Sequence, residues 1–374
     1  MNIERNYSVR IAVILTVAGL LVVALAVVLW LKRDKPVITK LEGIEIALAD
    51  RECSCLLPDG DVIYVGGADG LYLLDSKTLA FIKKVEIPGG PILQLVSALY
   101  KMPDGSLWVA HNRGISMLQN REWKTFGLAD GLLDLRANCF YQGDGGLWAG
   151  TWGGAYFFAE TNGVYSIQKA YTTDNGLTDN MINVIYSEKD GTLWFGAYYH
   201  TDTPCGLSIL NEGRFSYLSV LDGLPHSFIT SICAIPNGEY YIGCGFLERG
   251  GLAVVQKQEN NYSVDRIYGM NEGLPGPKVR TLYYDTAEHL WIATENDGIL
   301  IVSNPSPNDA NLSGIYIKQE NGLPDNEIKQ IMEHDGYIYL AARRGIARLP
   351  ISNLDSLVNR RLVQQETNLI THHS

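Results

Sequence analysis

Short apolar runs alternate along most of the chain with turns rich in glycine, aspartate and proline. In a representative unit, the apolar run 184–186 is followed by a turn at Asp190 and Gly191 and then by a second apolar run around Trp194. Runs of this length that end at Asp-Gly or Asn-Gly are typical of β-strands joined by tight hairpins, because glycine supplies the positive φ that such turns need. The pattern therefore predicts an all-β fold.

The same unit recurs along the chain, and each copy is marked by an aromatic residue in an apolar triplet. The copies are spaced 40 to 50 residues apart, which is the spacing of four-stranded propeller blades and longer than most solenoid repeats. We therefore expect a seven-bladed β-propeller of four-stranded antiparallel blades. The seven marker aromatics are Tyr64, Trp108, Trp148, Trp194, Tyr241, Trp291 and Tyr339.

The two ends of the repeat region predict how the ring closes. The last copy has no evident outer strand after Leu349, while residues 37–42 resemble an outer strand without a blade. We expect the two to join, so that no sheet edge is left open and the propeller covers residues 37–350. The tail, residues 351–374, is predicted to contain a short helix that starts near Ser352 and has one apolar face.

The first part of the chain has the pattern of a membrane helix. Residues 11–31 contain no charged side chain and have basic residues on both sides, and about 1.5 Å per residue makes this run roughly 30 Å long, the thickness of the hydrocarbon layer. We predict a transmembrane helix that acts as an uncleaved signal anchor, preceded by a short cytoplasmic tail at 1–10 and followed by a basic linker at 32–36. A cleaved signal peptide is the alternative.

The orientation of this predicted helix does not follow from charge, because basic residues are balanced on its two sides. A large domain that follows a signal anchor is normally exported. We therefore expect a single-pass protein of the bacterial inner membrane, held by lipid around residues 11–31, with the propeller on the periplasmic side. A propeller facing the cytoplasm is the alternative.

Charge and cysteine content limit the partners and the chemistry. The formal net charge is -11, which disfavours nucleic acid because the phosphate backbone would be repelled. Cys53 and Cys55 are expected on the same face of one strand. Cys233 and Cys244 flank a predicted hairpin turn, so buried free thiols are expected and a disulfide between these two is the alternative.

The repeat resembles the two-component regulator propeller family over roughly residues 40 to 350. The resemblance rests on Gly-Leu-Pro connections such as Gly223-Leu224-Pro225 and on strands such as Gly191-Thr192-Leu193-Trp194. In that family such propellers form extracytoplasmic sensor regions of hybrid histidine kinases, usually in pairs, with a β-sandwich, kinase and receiver modules downstream. Here one propeller follows the predicted membrane helix and only the tail follows it, so no kinase is expected. The resemblance implies recognition of a ligand or partner.

Two neighbouring blades carry enlarged segments between their second and third strands. Trp194 is separated from Gly206 by 12 positions and Tyr241 from Gly251 by 10, against 6 or 7 in the other blades. Insertions on adjacent blades and on one face predict a shared binding surface, although sequence drift in tolerant loops is the alternative. The candidate residues are Tyr198, Tyr199, His200, Asp202, Phe246, Glu248 and Arg249, with His226 in the connection between the two blades.

Further candidates lie on the rest of the same rim. Aromatic rings with a few directional polar groups suit a small amphipathic ligand or a protein partner. These secondary candidates are His111, Arg113, Arg136, Trp152, Arg343 and Arg344.

Catalysis is the main rival to recognition. His111, His200 and His226 share the predicted rim, so a propeller hydrolase or lyase that uses these histidines and a divalent ion is an alternative. Metalloprotease, nucleophile-elbow, P-loop and EF-hand patterns do not occur in the sequence. We therefore predict no catalytic residue, no metal site and no cofactor, and a membrane-anchored recognition or scaffold protein. An accessory subunit of a larger membrane complex is a third possibility.

Overall fold

The computed structural model of the protein describes residues 41–198, 205–259, 261–306 and 308–354. Within these residues, 28 strands form seven sheets of four antiparallel strands each. The first strands of successive sheets contact one another, and the first sheet also contacts the last. The sheets are therefore the blades of a closed ring around a central channel. This confirms the predicted seven-bladed β-propeller.

The strands of each blade run from the channel outwards in chain order, except that β1 (Glu45–Ala47) is the outer strand of blade 7. Blade 1 contains β2 (Cys53–Asp59), β3 (Val62–Gly67), β4 (Gly70–Asp75) and β5 (Phe81–Val85), and blade 2 contains β6 (Ala98–Lys101), β7 (Leu107–His111), β8 (Gly114–Gln119) and β9 (Glu122–Phe126). Blade 3 contains β10 (Ala137–Gly143), β11 (Gly146–Thr151), β12 (Gly154–Thr161) and β13 (Val164–Tyr171), and blade 4 contains β14 (Ile182–Ser187), β15 (Leu193–Ala197), β16 (Gly206–Asn211) and β17 (Arg214–Ser219). Blade 5 contains β18 (Ile229–Ala234), β19 (Glu239–Phe246), β20 (Arg249–Gln258) and β21 (Asn261–Tyr268), and blade 6 contains β22 (Val279–Tyr284), β23 (His289–Thr294), β24 (Ile299–Ser303) and β25 (Ile315–Ile317). Blade 7 contains β26 (Ile328–His334), β27 (Tyr337–Ala342) and β28 (Gly345–Pro350), followed outwards by β1.

Four short 3-10 helices lie in connections between blades, at Leu128–Asp130, Thr173–Asn175, Val220–Asp222 and Gln319–Asn321. Each is followed by the glycine of the predicted Gly-Leu connection. Gly223 and Gly322 have φ values of 103° and 115°, a left-handed conformation that side chains with a Cβ rarely adopt. The recurring glycines of the connections are therefore required by the backbone.

The ring is closed by β1, which pairs antiparallel with β28 and places Ile46 opposite Ala347. The closing strand is thus 45–47 rather than the predicted 37–42. Residues 37–40 lie outside the described residues, and positions 41 and 42 are not in a strand. Leu41 is instead buried in the core of blades 6 and 7, where its N–H donates to the Asn321 carbonyl at 2.8 Å.

Arg348 strengthens this closure. Its side chain is almost fully buried, and its Nε and Nη2 donate to the two carboxylate oxygens of Glu45 at 3.1 and 3.0 Å. The same guanidinium donates to the carbonyl oxygens of Ser76 and Lys77 in blade 1. One side chain on β28 therefore links β1 to both blades at the closure.

The marker aromatics lie on the second strands and fill the spaces between blades. Trp108, Trp194 and Trp291 are completely buried. A buried indole N–H needs an acceptor, and the structure supplies it from the turn that precedes the strand. Trp194 Nε1 donates to a Glu188 carboxylate oxygen at 3.1 Å, and Trp291 Nε1 donates to Asp285 at 2.8 Å.

Six of the seven first strands contain a one-residue register shift near their start. Such a β-bulge adds one residue to the strand and turns its side chain away from the regular alternation. The bulge residues Asn138, Asn183 and Thr230 use that freedom to donate to backbone carbonyls of the next blade, at 2.8, 2.9 and 2.7 Å. They therefore tie adjacent blades together at the channel.

The bulge in blade 1 also overturns the prediction for two cysteines. Cys53 packs in the core shared with blade 7, whereas Cys55 packs in the core shared with blade 2. They face opposite sides because the extra residue between them breaks the period of two. In blade 5, Cys233 lies opposite Tyr241 and Cys244 opposite Ile229. The last two cysteines are therefore not cross-strand neighbours, and both are free thiols.

Both ends of the chain extend beyond the described residues. Residues 351–354 are helical, and Leu354 is fully buried in the core of blades 6 and 7. The rest of the predicted tail helix lies outside the described residues, as does the predicted transmembrane helix at 11–31. Within the portion of the chain that the structure describes, no helix combines the length and apolarity needed to cross a membrane.

Candidate functional site

One face of the ring carries the connections between blades, among them residues 220–228 and 269–278, together with the turns between second and third strands. We call it the connection face. The opposite face, which carries turns such as 190–191 and 335–336, is the turn face. On the connection face a residue at or just after the end of each second strand donates its N–H to the segment before the first strand, as from Trp152 to the Arg136 carbonyl at 2.9 Å and from Gly245 to the Phe228 carbonyl at 3.0 Å. Side chains from these two positions therefore lie together in each blade.

Four aromatic side chains form a continuous arc on this face across blades 3, 4 and 5. The ring centroids of Trp152 and Tyr198 are 5.4 Å apart, those of Tyr198 and Phe228 are 4.3 Å apart, and those of Phe228 and Phe246 are 6.1 Å apart. These distances are within the range of favourable aromatic contacts. We call these four residues the aromatic arc.

A cation lies against each end of the aromatic arc. The Arg136 guanidinium is 3.8 Å from the centroid of the Trp152 ring, and the Lys278 ammonium is 5.9 Å from that of Phe246 and 5.4 Å from that of Phe228. These distances fit cation–π contacts. The arc is thus an apolar strip with a basic side chain at each end.

Both of these cations have carboxylate partners that fix their positions. Arg136 donates from Nε and Nη2 to the two oxygens of Asp134 at 2.9 and 2.6 Å. These hydrogen bonds hold the pKa of Asp134 below its usual value. Lys278, whose side chain is almost fully buried, pairs with Glu295. The ends of the arc are therefore pre-organised.

Beyond Lys278, ion pairs continue around the connection face through blades 6 and 7. Arg280 lies 3.9 Å from Glu295 and 4.0 Å from Glu327, and Lys329 lies 3.7 Å from Glu327 and also pairs with Glu52 of blade 1. The face thus has an aromatic half and a charged half. The charges of the second half largely neutralise one another.

The predicted residues divide according to this arrangement. Tyr198, Phe246, Trp152 and Arg136 come together in the aromatic arc or at its end. Tyr199, His200 and Asp202 lie outside the described residues. The remaining candidates are spread over the connection face.

The arginines of the secondary set lie away from the arc. Arg343 and Arg344 both approach Asp325, at 3.4 and 3.6 Å, on the charged half of the face. Arg113 is exposed in blade 2, and its N–H donates to His111 Nδ1 at 3.2 Å. These arginines therefore do not extend the aromatic strip.

The two described rim histidines have structural partners. His111 is completely buried, and its Nε2 lies 2.8 Å from the Ser116 hydroxyl. With Nδ1 accepting from Arg113, both ring nitrogens are occupied, so His111 does not present a ligand to solvent as the sequence suggested. His226 is half-buried, and its Nδ1 accepts from the Phe228 N–H at 2.9 Å.

Burial of His111 should make the stability of the protein depend on pH. It lowers the pKa of His111 to about 4, whereas an unfolded histidine titrates near 6.5. As pH falls between these values, the unfolded state takes up the proton first, and we expect a loss of up to about 3 kcal/mol of unfolding free energy. Urea unfolding at neutral and acidic pH measures this loss. His111→Gln, which cannot titrate, should show a shallower decline, and an equal decline in both proteins would contradict the assignment.

The enlarged segment of blade 5 is not a loop. β19 and β20 continue to pair up to Phe246 and Arg249, which leaves only a two-residue turn at Leu247 and Glu248. The extra residues lengthen a regular hairpin, so Glu248 and Arg249 project from the ring as exposed residues of its tip.

Several site residues were missed by the sequence analysis. Phe228, Lys278 and Asp134 belong to the connections, where length does not vary and only the kind of side chain distinguishes one blade from another. Asn138 was missed for the same reason, and it accepts from Trp152 Nε1 at 3.2 Å. Arg136, Phe228 and Lys278 occupy the same position in their blades, two residues before the bulge of the first strand. Aligning the repeats and comparing the side chains at this position would have found all three.

The turn face carries two open clefts, one among blades 2 to 4 and one among blades 4 to 6. Their volumes are about 700 and 760 Å³, and Glu188 and Lys189 border both. Tyr141 lines the first, and Tyr186 and Tyr283 line the second. None of the predicted site residues lines either cleft. Among the described residues, no group of three or more His, Cys, Asp or Glu side chains is arranged to hold a metal ion.

The fold and the face together define a seven-bladed propeller with an aromatic strip on its connection face. No protein-family model and no curated protein matches the sequence. Among solved structures, the chain is similar to the extracellular domain of the hybrid two-component system BT3049 from B. thetaiotaomicron, with a TM-score of 0.66 and 18% identity over 82% of this chain and 41% of that one. The corresponding domain of BT4673 from the same organism gives 0.62 and 18% over 83% and 39%.

A third similar structure is YCF48 bound to D1 peptide, with a TM-score of 0.56 and 12% identity over 84% of this chain and 98% of that one. Identities this low show the fold alone. The chain spans about two fifths of the length of these two extracellular domains. At the level of the fold, the resemblance to two-component sensor propellers that the repeat indicated is confirmed.

Proposed function

We propose that the protein is a membrane-anchored, non-catalytic recognition protein that binds a ligand or a protein partner on the connection face of its propeller, on the extracytoplasmic side. The aromatic arc carries this proposal. Trp152, Tyr198 and Phe246 are partly exposed and offer stacking area around the buried Phe228, and the exposed Arg136 beside Trp152 adds a directional polar group. This is the composition of a binding site for an amphipathic molecule.

The structural comparisons support a sensing role and an extracytoplasmic location. Two of the similar structures are extracellular domains of hybrid two-component systems. The same fold in YCF48 is described with a bound peptide. These similarities concern the fold alone, so the kind of ligand has to be inferred from the side chains of the aromatic arc.

The catalytic alternative has little support from the described rim. A hydrolase or lyase would need histidines with ring nitrogens directed at a substrate or an ion. His111 is instead buried with both nitrogens occupied, and the imidazole of His226 organises the backbone before β18. His200 lies outside the described residues.

A thermal-shift screen of the full-length protein against oligosaccharides and short amphipathic peptides tests the proposal. A ligand at about 100 times its Kd should stabilise the protein by about 2.7 kcal/mol. We expect the double variant Trp152→Ala and Tyr198→Ala to abolish this stabilisation, because it removes half of the arc while both side chains are only partly buried.

The control for this screen is Tyr217→Ala, since Tyr217 is 49% exposed on the outer strand of blade 4, away from the arc. This variant should bind as the original protein does. A ligand that stabilises the double variant fully, or one that is turned over with a dependence on His226, would overturn the proposal.

A further inference from the structure

The tip of the β19–β20 hairpin holds a leucine in an unfavourable backbone conformation. Leu247 has a φ of 52° and is 71% exposed. Glycine and asparagine are the usual residues there, because a Cβ in the left-handed region costs about 1 kcal/mol or more. Leu79 has a similar φ but is buried, so its packing offsets the strain. Leu247 lacks such packing, as does Leu95, which has a φ of 47° and is 58% exposed; of the two, Leu247 lies at the tip of a hairpin.

The hairpin that carries Leu247 is held in place at its base. Gly245 pairs with Gly250, and a Cβ on Gly245 would lie 3.0 Å from the Cα of Lys278. A Cβ on Gly250 would lie 2.8 Å from the carbonyl oxygen of Pro277. The base therefore packs directly against the connection that leads to blade 6. The tip is a fixed projection, and Leu247 is presented at its end.

Two further exposed apolar residues lie in the connections on either side of this hairpin. Leu221 is 82% exposed in the connection that enters blade 5, and Met270 is 61% exposed in the connection that leaves it. The fold does not need an apolar residue at these positions. The position of Leu221 is taken by Asp174 before blade 4 and by Glu320 before blade 7.

The surroundings of these three residues are acidic. Leu221 is followed by Asp222, Leu247 by Glu248, and Met270 two positions later by Glu272. Asp222 and Glu248 are exposed, and Glu272 is partly buried. Arg249 is the basic residue of the tip. An apolar and acidic surface repels the anionic lipids of a membrane and attracts apolar side chains that are flanked by lysine or arginine.

We propose that Leu221, Leu247 and Met270, the blade 5 prongs, form a docking site for a basic amphipathic segment of a partner protein. The inference rests on the proposed recognition function of the connection face and adds the kind of partner. The apolar prongs pack between the apolar side chains of the segment, and the basic residues of the segment form ion pairs with Asp222, Glu248 and Glu272. Binding also compensates the strain that Leu247 holds in the free protein.

The test uses the full-length protein in nanodiscs of uncharged phosphatidylcholine and two fluorescent amphipathic helical peptides of equal length, one of leucine and lysine and one of leucine and glutamate. We expect fluorescence anisotropy to show binding of the leucine–lysine peptide and no comparable binding of the other. Leu247→Asn should weaken binding about tenfold, the equivalent of about 1.4 kcal/mol, and leave the Tm equal or higher. Combining it with Leu221→Ser and Met270→Ser should abolish binding.

Ile82→Ser is the matched control, because Ile82 is 48% exposed on the outer strand of blade 1. It should leave peptide binding unchanged. Equal affinity of the two peptides, or affinity that does not depend on the prongs, would overturn the inference. So would prong-dependent dimerisation in sedimentation or prong-dependent binding to empty vesicles. The variant Trp152→Ala and Tyr198→Ala retains the prongs, so loss of arc ligands and loss of peptide binding can be told apart.

Discussion

A chain that begins at residue 48 is expected to lose the cooperative unfolding transition that a chain beginning at residue 41 retains. The shorter chain lacks β1 and the buried Leu41, and it leaves Arg348 without the Glu45 carboxylate. Burial of a leucine contributes about 2 kcal/mol, and hydrogen bonds to a charged group about 1.5 to 3 kcal/mol each. The sum of these contributions is a large part of the roughly 5 to 15 kcal/mol by which a domain is stable. The truncation also leaves the edge of β28 unpaired.

Differential scanning calorimetry of the two chains measures this effect. The chain from residue 41 is the control, because it removes everything before the described propeller and keeps both the buried leucine and the closing strand. A sharp transition for both chains, with midpoints within a few degrees, would show that the ring does not depend on β1. The same experiment separates the closure at 45–47 from the sequence-based placement at 37–42, which predicts that both chains unfold.

The blade number and the ring were predictable because they depend on a repeated pattern. Each marker aromatic and each connection glycine has the same physical task in every blade. Copies that match the pattern less closely, such as those marked by Tyr64 and Tyr339, still recur at the same spacing, so the number of blades is predicted correctly. The closing strand was placed wrongly because it occurs once, and only the tertiary burial of Leu41 decides where pairing starts.

Side-chain direction was less predictable than strand position. The period of two places Cys53 and Cys55 on one face, and the bulge at Ser54 turns them to opposite sides. A bulge depends on hydrogen bonds to the neighbouring blade, such as that from Asn138 to the Ile182 carbonyl. The local sequence around Asn138 does not predict this contact with the neighbouring blade.

The candidate site was predicted in part for a related reason. Insertion length directed attention to blades 4 and 5, and Tyr198 and Phe246 of those blades both contact Phe228. The other members occupy connections of ordinary length. Phe228 contacts Tyr198 of blade 4, and Lys278 of the next connection lies against Phe228. These contacts between blades become visible only when equivalent positions are superposed.

The substitution Asp285→Ala is expected to destabilise the protein by about 3 to 5 kcal/mol. The carboxylate is buried and accepts from the backbone N–H groups of Ala287 and His289 at 3.0 and 2.8 Å. Its other oxygen bonds to His289 Nδ1 at 3.0 Å and to Trp291 Nε1 at 2.8 Å. Alanine would leave these buried donors unsatisfied beside a fully buried indole. Urea unfolding at neutral pH, followed by tryptophan fluorescence, measures the loss.

Asp104→Ala is the matched control, because Asp104 also opens a turn before a marker tryptophan but is exposed to solvent. Water can replace its bonds, so we expect a loss of only about 1 kcal/mol. Equal losses for the two variants would show that burial of the Asp285 network contributes little.

The effect of Asp285 should also depend on pH in a defined direction. Burial alone would raise the pKa of Asp285, but the hydrogen bonds from His289 and Trp291 outweigh it and hold the pKa below the ordinary 3.8. A carboxylate with a lowered pKa contributes its stability above the unfolded value and loses it as pH falls through the folded value. The difference between the original protein and Asp285→Ala should therefore stay constant from neutral pH down to about 4 and narrow only in stronger acid. A difference that shrinks between pH 7 and 5 would contradict the lowered pKa of Asp285.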